Sequence, residues 1–500
     1  MTTAPADTPP RDRAIPRGAD APSPADRRRW IALAIVMMAS FMDLVDVTIV
    51  NIAVPSIQHG LGASFSAVQW VTGGYALAFA IGLITGGRLG DIHGRKRIFL
   101  IGMTGFTLAS ALCGLATDPA MLVATRVLQG ATAALMVPQV LAIIHASFPA
   151  HERGKVFGMF GAMVGLGAVS GPLLGALLTE WNPGGLEWRP IFLINLPVGI
   201  AGLLLGRRFI DESRAARSLR LDLVGMGLGA LGLLMLLYPL TQGREAHWPV
   251  WGFVSMGLSV PVLAGFVRWE KAKARRDGSP LVELALFRVR SFAAGLAVQL
   301  VFGVVLGIFF LIWTLYMQLG LGWSPLRAGL TGVPFSIAVS IAAGLSVQKL
   351  VPRFGRKVLQ AGALVMVAGM LLYVWEEHRY GSGIQPWQMA LPLVVLGLGM
   401  GLIVAPLTDA VLAEVPKEHA GSASGLVNTT QQLGNALGLG LVSVVFFPVV
   451  DAARPGTAPG LVFGHAFGHA LGWLAVGLAV VLALMSALPR RAAGHSAPTG

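Results

Sequence analysis

The sequence predicts an all-α polytopic membrane protein with fourteen transmembrane helices, and three observations lead there. Of its 500 residues 55% are hydrophobic and only 12% charged, and the mean hydropathy is +0.70, above the balance of a water-soluble domain. The apolar residues fall into windows of about 20, the length that crosses about 30 Å of hydrocarbon as a helix. Polar or glycine-rich connections separate the windows. Backbone facing lipid must satisfy its own hydrogen bonds, so each window reads as helix.

Fourteen windows begin near Trp30, Val68, Ile98, Met121, Gly154, Pro190, Leu221, Pro249, Ser291, Ala328, Val358, Trp387, Gly425 and Val462. With the amino terminus inside, most of the 37 Lys and Arg fall in cytoplasmic segments. They are densest in RLGDIHGRKR after the second window, RRFIDESRAARSLR after the sixth and RWEKAKARRD after the eighth. The net charge of +13 thus follows the membrane and excludes nucleic acid as the partner it serves. The second and third groups are expected to be solvated, lipid-facing charges. Both termini are expected on the cytoplasmic side of the cell membrane. Residues 1–29, with six arginines and no apolar run, read as a disordered cytoplasmic tail and not as a signal peptide, and 489–500 read as a second tail. The single cysteine, Cys113, lies inside an apolar window, which excludes a disulfide framework.

The chain repeats itself. Gly154, Gly158, Gly167 and Gly171 recur with the same spacing as Gly421, Gly425, Gly434 and Gly438, and RLGDIHGRK at 88–96 is echoed by KLVPRFGRK at 349–357. Duplicated halves in a polytopic chain point to a transporter with its substrate site between them, near the midplane. The expected organisation is a six-helix bundle over 30–210, two inserted helices with flanking cytoplasmic segments over 211–285, and a second six-helix bundle over 286–488.

Charge inside the windows carries the chemistry. FMDLVDVTIVNIAVP in the first window holds Asp43 and Asp46, three apart, with Asn51 further on; a carboxylate in hydrocarbon costs several kcal/mol and marks function by default. Positions i and i+3 lie on neighbouring helix faces, so the two acids are expected to face one cavity and to share one proton. The fourth window holds Arg126 with Gln129 one turn away. A guanidinium does not lose its proton, so Arg126 must face the interior and find a partner, either as a structural ion pair or as part of the working site. In the repeat Val394 stands opposite it. In GGRLGDIHGRKR, Gly87 and Gly94 permit a tight turn while Asp91, Arg95 and Lys96 offer a conformational latch at the anionic leaflet. In GLGAVSGPLLGALL, Gly167, Gly171, Pro172 and Gly175 set small residues at helical spacing around a kink, which predicts close packing between the halves.

Other polar groups are weaker signals. Asp409 reads as a helix-end charge, and His465 and His469 as packing or surface groups. The HExxH, Walker and GxSxG spacings are missing, so no enzyme, no metal and no cofactor is expected.

Five stretches, VDVTIVNIAVP, GGRLGDIHGRKR, RVLQG, GAVSGPLLG and WRPIFLINLPVG, together resemble the major facilitator superfamily, specifically its fourteen-span drug:proton antiporters. Further likeness runs through PLVELALFRVRSF, QLGLGWSPLRAGL and EHAGSASGLVNTTQQLGNALG. The resemblance implies two six-helix bundles with an extra pair between them, and export of hydrophobic, often cationic drugs or antibiotics in exchange for protons, driven by the proton gradient. On that pattern Asp46 is the first-span acid, Arg126 the fourth-span arginine, Asp91 and Arg95 the loop motif, and the fifth-span glycines with Pro172 the antiporter motif. Asp43 departs from the pattern, which more often has an apolar residue there. The expected partners are small hydrophobic substrates, protons and lipid, with no obligate protein partner. Two alternatives are a dedicated exporter of one endogenous metabolite, antibiotic or lipid, and a non-transporting membrane sensor.

Overall fold

A computed structural model of the chain describes residues 24–214, 222–276, 280–282, 284–412, 420–454 and 456–488. Helices joined by short turns make up the described segments. Six long helices come first: α1 Pro24–Leu61, α2 Phe65–His93, α3 Arg95–Gly114, α4 Pro119–Ser147, α5 Ala150–Trp181 and α6 Pro190–Phe209, the last broken at Ile194. Then come α7 Leu223–Gln242 and α8 Val250–Arg276. Six more follow: α9 Arg290–Leu315, α10 Pro325–Leu345, α11 Lys357–Tyr380, α12 Pro386–Leu412, α13 Ala420–Val445 and α14 Pro459–Met485. Among the described residues thirteen helices are long and apolar enough to cross a membrane, and α5, at 32 residues, is the remaining long helix.

Local chemistry sets the boundaries. Ser64, Asp118, Asp222 and Ser324 each accept from a backbone N–H three residues on, capping α2, α4, α7 and α10, and Pro119 and Pro325 follow two of these caps at a position that needs no donor. Gly94, at φ 107°, makes the sharp turn between α2 and α3.

The repeat is visible in the packing. In the first six, α2 packs on α4, α3 on α4, α1 on α5 and α6, and α3 on α6; in the last six, α10 packs on α12, α11 on α12, α9 on α13 and α14, and α11 on α14. The halves meet where α2 touches α13 and α5 touches α10. Glycine makes these approaches possible. A Cβ on Gly86 would strike the Ala134 carbonyl of α4, and one on Gly401 the Val339 carbonyl of α10. The fifth-span glycines face within their own half: Gly167, Gly171 and Gly175 lie on Leu44, Thr48 and Ile49 of α1. That corrects the expected packing between halves, because i, i+4 and i+8 form one face and α1 occupies it. The adjoining face, Pro172 and Ala176, meets Gly329 of α10 across the seam.

Three expectations about charge need revising. Helix α1 starts at Pro24, so Arg28 and Arg29 belong to it and pair with Asp211 at 2.8 Å and Glu152 at 2.9 Å. In the group after α6, Glu212 accepts from the N–H groups of Lys96 and Arg97 at 3.1 and 3.2 Å, satisfying open donors at the start of α3. In the group after the eighth window, which forms the last turns of α8, Glu270 is fully buried.

Helix α7 lies against α13 and α2, and α8 packs on α7. At the outer ends, so called from the charge distribution, their connection touches both halves. Arg244 holds Asp451 at 2.8 and 2.6 Å and covers the Phe447 ring, while Glu245 accepts from Ser66 N–H and Oγ–H at 2.8 and 2.7 Å. Nearby, Gln318 donates to the Ile52 carbonyl at 2.8 Å and the Leu326 N–H to Glu180 at 3.0 Å, so the outer seam is stitched.

Candidate functional site

Helix α1 buries Val45, Ile49, Val50 and Ala53, and this apolar face carries Asp46 inside with it, at 0% exposure. A bare carboxylate there would be costly, so the neighbouring helices must supply donors. Helix α4 brings Arg126 and Gln129, α3 brings Ser110 and α6 brings Asn195, all buried.

The donors converge on Asp46. Arg126 Nη1 lies 2.6 Å from Oδ2, while Gln129 Nε2 and Asn195 Nδ2 lie 2.9 and 2.7 Å from Oδ1. Ser110 Oγ accepts from Gln129 at 3.2 Å and Asn195 at 2.9 Å, and donates to the Phe192 carbonyl at 2.9 Å. Arg126 also donates to Gln129 Oε1 at 2.7 Å and to the Val71 carbonyl of α2 at 2.9 Å. Its guanidinium lies 4.3 Å from the Tyr75 ring centre and 5.6 Å from that of Phe192. Five helices are thus joined at one ion pair. Burying two charges about cancels their attraction, so the pair adds little net stability; removing one partner, however, costs about 3–5 kcal/mol.

Asp43 is elsewhere. It is half-buried and accepts from the Tyr75 hydroxyl at 2.5 Å, so the two acids have separate partners rather than one shared proton. The cause is Tyr75, which reaches from α2 to one acid with its hydroxyl while its ring lies under Arg126. Asn51 is half-buried and outside this network. The loop residues form their own cluster: Asp91 pairs with Arg95 at 3.0 Å, Arg95 reaches the Ala142 carbonyl of α4 at 3.4 Å, and Lys96 Nζ reaches the Arg207 carbonyl at 2.8 Å. Gly87 sits against Pro138, and a Cβ on Gly94 would meet the Glu212 carboxylate. His469 accepts from Trp473 at 3.1 Å on the surface of α14. The side chain of Asp409 lies outside the described residues.

The Major Facilitator Superfamily signature matches residues 36–439. The chain belongs to that superfamily. This transporter is 44% identical over 438 residues to a probable actinorhodin transporter of Streptomyces coelicolor, covering 88% of this chain and 76% of that one. It is 37% identical to a puromycin resistance protein of Streptomyces alboniger, covering 86% and 84%, and 34% identical to the multidrug resistance protein Stp of Mycobacterium tuberculosis, covering 84% and 76%. Among solved structures, an auto-inhibited peptide transporter of the POT family superposes with a TM-score of 0.68 at 14% identity, covering 94% of this chain and 99% of that one. The protein is therefore a multi-pass membrane transporter related to drug and antibiotic exporters.

Tyr75, Ser110 and Asn195 were not among the residues singled out from the sequence. Each had one signal, a polar group alone within an apolar window, but such groups are common between helices. Only the bonds made in the fold separate these three: Asn195 to Asp46, Ser110 to the Gln129 and Asn195 that hold it, and Tyr75 to Asp43.

Proposed function

We propose that this transporter exports hydrophobic, cationic compounds in exchange for protons, with Asp46 as the group for which proton and substrate compete. The observation that carries this reading is the buried Asp46 and Arg126 pair with Gln129 and Asn195 on the second oxygen. All three donors aim at a carboxylate, so a proton arriving on Asp46 must displace one of them. Arg126 cannot give up its own proton and so acts as the permanent cation that expels another. Rocking of the two six-helix bundles opens Asp46, together with its donors in the first bundle, to the outside for loading and to the inside for release. The dense inner basic segments support cytoplasmic termini. Each charge crossing about 100 mV brings about 2.3 kcal/mol, before any pH gradient is added.

Everted vesicles loaded with a pH probe test this. Adding cationic dyes and antibiotics should move protons in the wild type and not in Asp46→Asn; substrate movement without protons across a broad panel would refute the coupling. A second reading, export of one dedicated compound, draws support from relatives named for actinorhodin or puromycin. Resistance to a single compound in the same panel selects it, and resistance to several unrelated ones selects the broad exporter.

A further inference from the structure

The inserted helices bury an acid pair that the transport chemistry above does not use. Asp222 caps α7, accepting from the Gly225 N–H at 2.9 Å, and is 5% exposed; Glu270, near the inner end of α8, is 0% exposed. The indole N–H of Trp269 reaches Asp222 Oδ1 and Oδ2 at 2.9 and 3.2 Å. The Val282 N–H, in the linker to α9, reaches Glu270 Oε2 at 2.9 Å. The other oxygen, Glu270 Oε1, is buried and has no donor among the described residues. It points at the Asp222 carboxylate: a Cβ on Gly225 would run into Glu270 Oε1 and Asp222 Oδ2 together.

Among the described residues the surrounding charges do not fill that gap. On α8, Arg268, Lys271, Arg275 and Arg276 are exposed, and Lys273 is half-buried with a contact of its own. On α7 the facing acid is Asp222 itself. Two buried carboxylates this close, with no cation between them among the described residues, repel, and an acceptor with nothing to accept from costs about 1–3 kcal/mol. One proton removes both penalties, turning the repulsion into a hydrogen bond.

We infer that Asp222 and Glu270 bind one exchangeable proton between them, with Glu270 Oε1–H donating to Asp222 Oδ2, and that losing it loosens the inner end of the α7–α8 hairpin. Because Glu270 also holds the Val282 N–H, the protonation state of the hairpin reaches the segment that leads into α9. The site is independent of Asp46 and does not rest on antiport.

Trp269 reports on the site directly, since its indole touches Asp222. The test is the tryptophan emission of the full-length protein from about pH 5 to about pH 10, a range spanning perturbed carboxyls, with the Trp269→Phe signal subtracted. The Trp269 component should titrate in the wild type and equally in Asp46→Asn, and should be flat in Glu270→Gln, whose amide donates to Asp222 at every pH. A component that is constant in the wild type, or that titrates unchanged in Glu270→Gln, overturns the site. If Trp269→Phe does not fold, the infrared C=O stretch of protonated carboxyls decides the matter. A band lost in Glu270→Gln or Asp222→Asn supports the site, and one that neither substitution removes overturns it.

Discussion

The first and last six helices pair in the same way and bury different things. The first six enclose Asp46, Arg126, Gln129, Ser110 and Asn195. The last six enclose aromatic rings: Phe309 stacks on Trp313 at 5.8 Å, and Phe310 meets Phe335 edge-on at 5.8 Å. Val394 stands where the repeat has Arg126. A duplicated scaffold needs its glycine contacts in both copies, because they are what lets the helices close. It needs a buried Asp–Arg pair in only one copy, since a second would add desolvation cost without adding net stability.

Breaking that contrast should have its largest effect at Arg126. Arg126→Gln leaves Asp46 buried without its cation and should cost about 3–5 kcal/mol and abolish transport. Val394→Ala, in the matching slot, should cost about 1 kcal/mol and spare transport. Thermal unfolding in detergent and vesicle transport measure both, and equal losses would mean that the halves do not differ in this way.

The glycines sharpen the contrast from the other side, since there the halves should agree in direction. Gly438 faces the Val304 carbonyl and the Ile308 N–H, whereas its match Gly171 faces Thr48, a side chain that can turn aside, before it meets the Val45 carbonyl at 3.2 Å. Both alanine variants should lose stability, by about 1–3 kcal/mol, with Gly438→Ala the worse because backbone cannot step away. Melting temperatures in the reverse order would contradict this. Tyr75→Phe removes a single donor from Asp43 and should cost about 1 kcal/mol. Transport should persist with an altered pH profile, so Tyr75→Phe matching Asp46→Asn in a transport assay would make Asp43 the equal of Asp46.

The smallest effect belongs to the outer connection. Burial alone would raise the Glu245 carboxyl, but the Ser66 N–H and hydroxyl, with Ser64 and Arg244 behind them, outweigh it and hold the group below its usual range. A depressed carboxyl keeps its contact above its unfolded value and loses it as pH falls through the folded one. Hydrogen exchange at the Ser66 amide should therefore be protected at every pH above about 4.3, the ordinary Glu value, and unprotected in Glu245→Gln only if the charge matters.

How much of this was legible beforehand follows from what hydropathy encodes. Lipid forces apolar length onto every span, so the helices, and the intramembrane acids and arginine, stand out in one dimension. Which acid meets Arg126 does not. Asp46 and Asp43 differ by less than a turn, and Tyr75, on another helix, decides that one is paired with a cation and the other with a hydroxyl. Glu212 and Glu270 were hidden for the opposite reason: each lies in a basic stretch that looks solvated, and only the meeting of distant helices shows one capping α3 and the other buried. The same holds for the fifth-span glycines, whose spacing announces a close contact without naming the helix that makes it.

Arg244 and Glu245 are adjacent in the chain, so their Cα atoms are about 3.8 Å apart, yet one is fastened to Asp451 and the other to Ser66. They form a two-residue shackle across the outer mouth. Ser66 and Asp451 can part by no more than the combined reach of two side chains before one fastening lets go. Exposed ion pairs are worth about 0–1 kcal/mol, so the Arg244 fastening is weak enough for thermal motion to open. The inserted hairpin thus limits how wide the mouth stands at rest without deciding whether it opens.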